Sequence, residues 1–163
     1  MTAARVSLLA LALAAGLLAL APAQAGVTVT DAWVRATVEG QSATGAYMSI
    51  ASDRDLSLVG AACAAAQRAE IHEMAMHGDM MMMMPAEKLA VGPGHPLALD
   101  EKKYHLMLEG LKRALRPGEK LAITLRFSDA RGAGEDVPVQ AVVRPLSAHG
   151  DAMEQMRHPG HGD

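Results

Sequence analysis

The chain has 163 residues, which fits one domain, and its formal net charge is −3 at pH 7. This slightly acidic balance argues against a nucleic-acid partner, because binding to a phosphate backbone calls for a basic surface. The only cysteine, Cys63, has no partner for an internal disulfide, so the fold must depend on its apolar core.

The first 25 residues have the features of a secretory signal peptide. One basic residue, Arg5, precedes a nearly continuous apolar run at 6–20, and the small-x-small sequence AQA follows at 23–25. The run is shorter than the roughly 20 residues that span a bilayer. We therefore expect export with cleavage after Ala25. The residue directly after the expected cleavage site is Gly26 rather than a cysteine, so we expect no lipid anchor there and no stable membrane anchor. We also expect the mature protein to be a monomer.

The mature chain predicts one all-β domain over residues 26–148. Its apolar segments are short and are separated by Gly, Pro and Asp, which is typical of a β-sandwich. Strands are predicted at residues 27–37, 43–52, 56–62, 69–76, 80–84, 97–99, 104–108, 120–127 and 137–143. Turns are predicted at residues 39–40, 53–55, 92–94, 116–118 and 131–134. The alanine-rich stretch 61–66 also fits a short helix, because Ala favours helices over strands.

The C-terminal segment 149–163 shows no apolar periodicity, so we interpret it as a disordered tail. Its metal-binding side chains are His149, Met153, Met156, His158 and His161. Imidazoles on a flexible segment can chelate Cu(II), which makes a Cu(II) site in the tail one hypothesis. A solvated tail with incidental histidines is the alternative.

Methionine and histidine are concentrated in the middle of the chain. Eight methionines and four histidines lie between positions 72 and 107, including five consecutive methionines at 80–84. Core packing explains this poorly, because alternate residues of a strand must face away from the core. Thioethers favour Cu(I) and imidazole accepts either oxidation state of copper, whereas structural zinc sites usually draw on more cysteine. The composition of this segment therefore predicts a Cu(I) site.

Strand periodicity narrows the candidate ligands. His105 and Met107 are two residues apart and share one face of their predicted strand, while the residues between and beside them face the core. By the same spacing, His72 shares a face with Met74 and Met76. These two methionines are candidate auxiliary ligands, and a soft apolar rim is the alternative. A further thioether is expected from the 80–84 run.

The order of four residues matches the pattern H-x10-M-x21-H-x-M, and they are His72, Met83, His105 and Met107. This pattern resembles the signature of the PCu(A)C family of periplasmic copper chaperones. The local sequences DAWVRA at 31–36, IHEM at 71–74 and YHLML at 104–108 are also similar to that family. The resemblance covers roughly residues 27–144, nearly the whole mature domain.

The resemblance implies a cupredoxin-like Greek-key β-sandwich with one Cu(I) bound by those four residues. It also implies that the copper is carried toward the copper centre of cytochrome c oxidase, directly or through a thiol-bearing copper chaperone. Counting along the pattern selects Met83. Because the run is all methionine, Met81, Met82 and Met84 are alternatives in neighbouring registers.

Other functions fit the sequence less well. An electron-transfer cupredoxin needs a Cys thiolate beside two histidines, and Cys63 precedes the candidate histidines without a closely following one. The chain has no signature of an enzyme. Copper storage or resistance without a specific recipient remains the alternative function. Cys63, Trp33 and Tyr47 are interpreted as packing residues, and His77 and His95 as solvated turn residues.

Overall fold

The computed structural model describes residues 26–145, which form ten β-strands. The strands are β1 (Val27–Arg35), β2 (Ala43–Ser52), β3 (Leu56–Cys63), β4 (Arg68–His77), β5 (Met80–Pro85), β6 (Leu89–Val91), β7 (Leu97–Leu99), β8 (Tyr104–Glu109), β9 (Lys120–Ser128) and β10 (Gly134–Arg144). The predicted all-β class is confirmed. The predicted signal peptide, the tail at 149–163 and the domain end at 146–148 lie outside the described residues.

Several details differ from the sequence predictions, among them some strand bounds. The short strand β6 was not predicted. The alternative helix at 61–66 is wrong, because residues 61–63 complete β3 and pair with β9, and the chain then turns toward β4. Among residues 26–145, no helix has the length and apolar character needed to cross a bilayer.

The strands follow one hydrogen-bonded path in the order β5-β4-β8-β2-β1-β10-β9-β3-β6, and β7 also pairs with β2. The β1–β10 pair is parallel, and the other pairs are antiparallel. The two halves of the path contribute buried side chains to a single core. The predicted sandwich is thus confirmed.

The core follows the two-residue period of the strands. On β9, Leu121, Ile123, Leu125 and Phe127 are buried and alternate with more exposed residues. On β8, Leu106 and Leu108 are fully buried. Burying each such side chain contributes about 2 kcal/mol. Because these leucines face the core, the residues between them must face the outer side of the sheet.

β4 and β5 form a hairpin whose two-residue turn is Gly78-Asp79. Gly78 has a φ of 63°, in the left-handed region that glycine adopts without strain. β8 pairs with β4 only as far as Glu73, while β4 continues to His77. The hairpin therefore extends beyond its neighbouring strand, and we call residues 75–82 the hairpin overhang.

Candidate metal site

Three of the predicted ligands share the outer face of β4 and β8. His72 lies directly opposite His105, with ring centroids 5.9 Å apart. Met107 lies opposite Glu70, one step along the same face. Directly opposed residues of an antiparallel pair point to the same side of the sheet. Two imidazoles and one thioether therefore lie together on this face.

The methionine run reaches the same face through the β4–β5 pairing. Met83 lies opposite Met74, and Met81 lies opposite Met76. Since Met74 and Met76 alternate with core-side residues, Met83 and Met81 point to the His72 side, while Met82 and Met84 point to the other side. Of the two methionines on the His72 side, Met83 is the nearer in register to His72. The register thus separates candidates that the sequence left open.

Both imidazoles are buried although they lie on the outer face. His72 is 9% exposed and His105 is 6% exposed. Within the described chain, Nδ1 of His72 is buried without a hydrogen-bond partner, and its Nε2 lies 3.5 Å from Oε2 of Glu70. A ring that is oriented by a carboxylate at one nitrogen and unpaired at the other suits metal ligation.

The electrostatics of His105 also favour a neutral donor. Burial lowers the pKa of His105, and the nearby His72 and Arg35 lower it further. An imidazole binds a metal only in its neutral form. His105 therefore has its lone pair available at neutral pH.

Carboxylates border the site beside Met107. The ligand atoms of Glu70, His72 and Glu109 all lie within 4.8 Å of one another. Arg68 pairs with both acids, at 2.6 Å from Oε2 of Glu109 and 3.4 Å from Oε1 of Glu70. These carboxylates are thus already engaged with a guanidinium. Two such groups fall short of the oxygen-rich shell that a hard cation requires.

Two aromatic residues bound the site on its other side. Tyr47 is 7% exposed, and its ring centroid lies 6.4 Å from that of His105 and 4.4 Å from that of Trp33. A β-bulge at Asp31, which has a φ of 51°, adds one residue to β1. The bulge places Trp33 rather than Ala32 opposite Tyr47. Packing was the predicted role of both aromatics, but their position beside the candidate ligands was missed.

The absence of a side chain at Gly45 leaves room for the Tyr47 ring. Gly45 lies opposite Met107, two residues from Tyr47 on the outer face of β2. A Cβ at Gly45 would lie 2.3 Å from the Tyr47 hydroxyl oxygen, so the ring occupies the space of the missing side chain. The G-x-Y spacing within a predicted strand was the sequence signal for this arrangement.

The remaining candidates fall into three groups. Met74, Met76 and Met81 share the face of His72 and stay candidate auxiliary ligands. His77 and His95 are exposed as expected, but His77 is the last residue of strand β4 rather than part of a turn, because it pairs with Met80. Cys63 is a buried core residue, as its interpretation expected. The tail residues lie outside the described chain, and they are His149, Met153, Met156, His158 and His161.

The site is a patch at the surface rather than a pocket. A cleft of about 420 Å³ lies beside Trp33 and Tyr47, but none of the four candidate ligands lines it. Met83 is 46% exposed and Met107 is half-buried, whereas both histidines are buried. The candidate site is therefore open at its thioethers and closed at its imidazoles.

Comparison with known proteins identifies relatives over most of the described chain. The family described as "Putative lipoprotein LpqE-like" matches residues 27–143. The "Putative lipoprotein Lxx21020" of Leifsonia xyli subsp. xyli is 34% identical over 116 residues, which cover 71% of this chain and 70% of that protein.

Solved structures agree with this family. The solution structure of CuI-DR1885 from Deinococcus radiodurans is 35% identical, with a TM-score of 0.57, and the match covers 76% of this chain and 83% of that chain. The copper-bound PCuAC domain from PmoF2 has the same fold at 20% identity, with a TM-score of 0.59 over 73% of this chain and 92% of that domain. The chain therefore belongs to the LpqE-like, PCu(A)C-related family that its sequence signature predicted.

Proposed function

We propose that this protein is an exported, periplasmic copper chaperone that binds Cu(I) through His72, Met83, His105 and Met107. The observation that carries the proposal is the strand register, which puts two imidazoles and two thioethers on one face. The Cu(I) form of the Deinococcus radiodurans relative and the lipoprotein names of other relatives support copper and export.

The donor set matches Cu(I) better than other biological metals. Thioethers are neutral, soft ligands that need no deprotonation, and they cannot be lost to disulfide formation in an oxidising compartment. The lowered pKa of His105 keeps its imidazole neutral at neutral pH. Binding at this site would therefore displace few protons.

The uneven exposure of the ligands supports a carrier. A partner could reach the ion from the thioether side, because Met83 belongs to exposed strand β5. Its ligands would then replace methionine sulfur one at a time while the buried histidines still hold the copper. We propose the copper centre of cytochrome c oxidase, or a thiol-bearing copper chaperone that supplies it, as the recipient.

The binding part of the proposal is tested by two neighbouring methionines. Met83→Leu and Met82→Leu remove the same sulfur from side chains of similar exposure, 46% and 43%, on opposite faces. Losing a group that only orients a ligand weakens a metal site by about 10- to 100-fold, so losing a ligand should cost at least about tenfold. We expect Met83→Leu, but not Met82→Leu, to weaken the tightest Cu(I) site in an anaerobic chelator competition.

A second variant, His105→Ala with Met107→Leu, should abolish that site. If both site variants kept the full affinity of the parent, the assignment of the ligands would be wrong.

The chaperone role is tested separately from binding. A deletion strain grown at low copper should lose oxidase activity and keep normal copper tolerance. The opposite phenotype would favour copper storage or resistance over delivery.

A further inference from the structure

The methionine run presents sulfur on both faces of the hairpin, and the proposed function uses only one face. The other is the core-side face, which carries Ile71 within the sandwich. Beyond Glu73 this face continues on β4 and β5 where β4 no longer pairs with β8. Of its residues, His77, Met80, Met82 and Met84 are exposed to solvent.

The register gathers an imidazole and several thioethers on this face. His77 lies directly opposite Met80, Ala75 lies opposite Met82, and Met84 follows opposite Glu73. Met80, Met82 and Met84 are 68%, 43% and 48% exposed. Three thioethers thus follow one another at two-residue spacing, and a histidine stands beside the outermost one.

The distances of a β-hairpin let these groups meet at one ion. Directly opposed residues have Cβ atoms about 5 Å apart, and residues two apart on a strand lie about 7 Å apart. The methionine side chain is long and unbranched, so it can cover such a gap. Ala75 has only a methyl side chain and therefore leaves room for the side chain of Met82, which lies opposite it. Glu73 adds a negative charge on the same face, which favours a cation.

Core packing does not explain this arrangement. Exposed methionines contribute little to stability, and an edge strand with large apolar side chains on both faces is an aggregation liability. Ligand chemistry gives each of these side chains a role. We propose that His77, Met80 and Met82 form a second Cu(I) site on the core-side face of the hairpin, with Met84 as a neighbouring thioether.

This second site rests on the proposed copper function but not on its ligands. Its members are all exposed and must be ordered by the ion, whereas His72 and His105 are already held by burial. The second site should therefore bind Cu(I) more weakly than the first and exchange it faster. It lies at the tip of the hairpin, beyond the end of the β4–β8 pairing.

The test is an anaerobic Cu(I) titration of the full exported chain, followed by NMR of ¹³C-labelled methionine methyl groups. The parent should fill its tight site first, with shifts at Met83 and Met107, and then shift Met80 and Met82. The variant His77→Ala, Met80→Leu, Met82→Leu should lose one Cu(I) equivalent and keep the first step. Leucine preserves side-chain volume, and circular dichroism checks that the variant is folded.

The control is His105→Ala with Met107→Leu, which should lose the first step and keep the shifts at Met80 and Met82. A hairpin variant that binds as many equivalents as the parent at unchanged affinity would overturn the second site and leave the proposed function intact. In that case an apolar docking role for these methionines would be favoured. If both variants kept both Cu(I)-binding steps, the result would contradict the proposed function as well as the second site.

Discussion

The contact between Gly45 and Tyr47 predicts an unusual effect of one methyl group. In most strands, Gly→Ala removes backbone freedom from the unfolded chain and stabilises the protein by about 0.5–1 kcal/mol. At Gly45 the new Cβ would lie 2.3 Å from the Tyr47 hydroxyl oxygen and 2.7 Å from Cζ of the ring. An ordinary contact needs more than 3.4 Å, so the ring must move by about 1 Å.

The ring has little freedom to make that movement. Trp33 lies 4.4 Å from it between centroids, and the Arg35 guanidinium lies 5.8 Å from its centroid. Inserting a methyl group into a well-packed region costs about 1–3 kcal/mol. For a domain of this size, that corresponds to a fall of roughly 4–12 °C in Tm. Because Tyr47 also borders His105, we expect weaker Cu(I) binding in the same variant.

Thermal unfolding measures the change in Tm. The fluorescence of the single tryptophan, Trp33, which packs against Tyr47, reports Cu(I) binding during a titration. Gly60→Ala is the matched control, because no heavy atom of the described chain, apart from those of Gly60 and its two chain neighbours, lies within 4 Å of a Cβ built there. Gly60→Ala should be neutral or stabilising. In a Tyr47→Ala background, Gly45→Ala should lose its penalty. The reasoning is refuted if Gly45→Ala unfolds at the parent temperature, or if its penalty is unchanged without the tyrosine ring.

Three further predictions follow from the core and the loops. Leu108→Ala should lower the free energy of unfolding by about 2–5 kcal/mol, because this side chain is fully buried, while Val59→Ala, at a 42% exposed position, should change it by less than about 0.5 kcal/mol in denaturant titrations. Cys63→Ala should leave the Cu(I) affinity unchanged in a chelator competition, because the thiol lies in the core. A lower affinity in this variant would indicate that the Cys63 thiol binds copper. The backbone N–H of Ala133 holds the pKa of Asp129 below its usual value, so this carboxylate stabilises the fold at neutral pH and loses that contribution as the pH falls through its folded-state pKa. Asp129→Asn should therefore differ from the parent in urea unfolding at neutral pH, and the two curves should converge in acid; a constant difference would contradict the cause.

The sequence predicted most strands because their apolar residues alternate clearly. The predictions for β2 and β7 match the observed bounds at both ends. β1 ends at Arg35, earlier than predicted, because Thr37 forms hydrogen bonds with Leu115 through both its backbone and its hydroxyl. Strand β6 was missed because three residues are too few for a periodic pattern.

The sequence predicted which candidate ligands share a face within one strand, but not how the strands pair. Alternation within one strand places His105 with Met107 and His72 with Met74, so the shared faces could be predicted. Which strands lie side by side, and in which register, depends on long-range packing that periodicity does not contain. The separation of Met81 and Met83 from Met82 and Met84 by face, and the bulge that brings Trp33 beside Tyr47, required the three-dimensional structure.

The uniform composition of β5 affects what a one-residue shift in its pairing with β4 would do. In an ordinary strand, a shift by one position carries every side chain to the opposite face and destroys whatever the face was built to bind. In β5, five consecutive methionines follow one another. A shift of one position therefore replaces sulfur by sulfur at most places on both faces. Methionine side chains would thus remain on both faces of this edge of the molecule after a small translation of the strand.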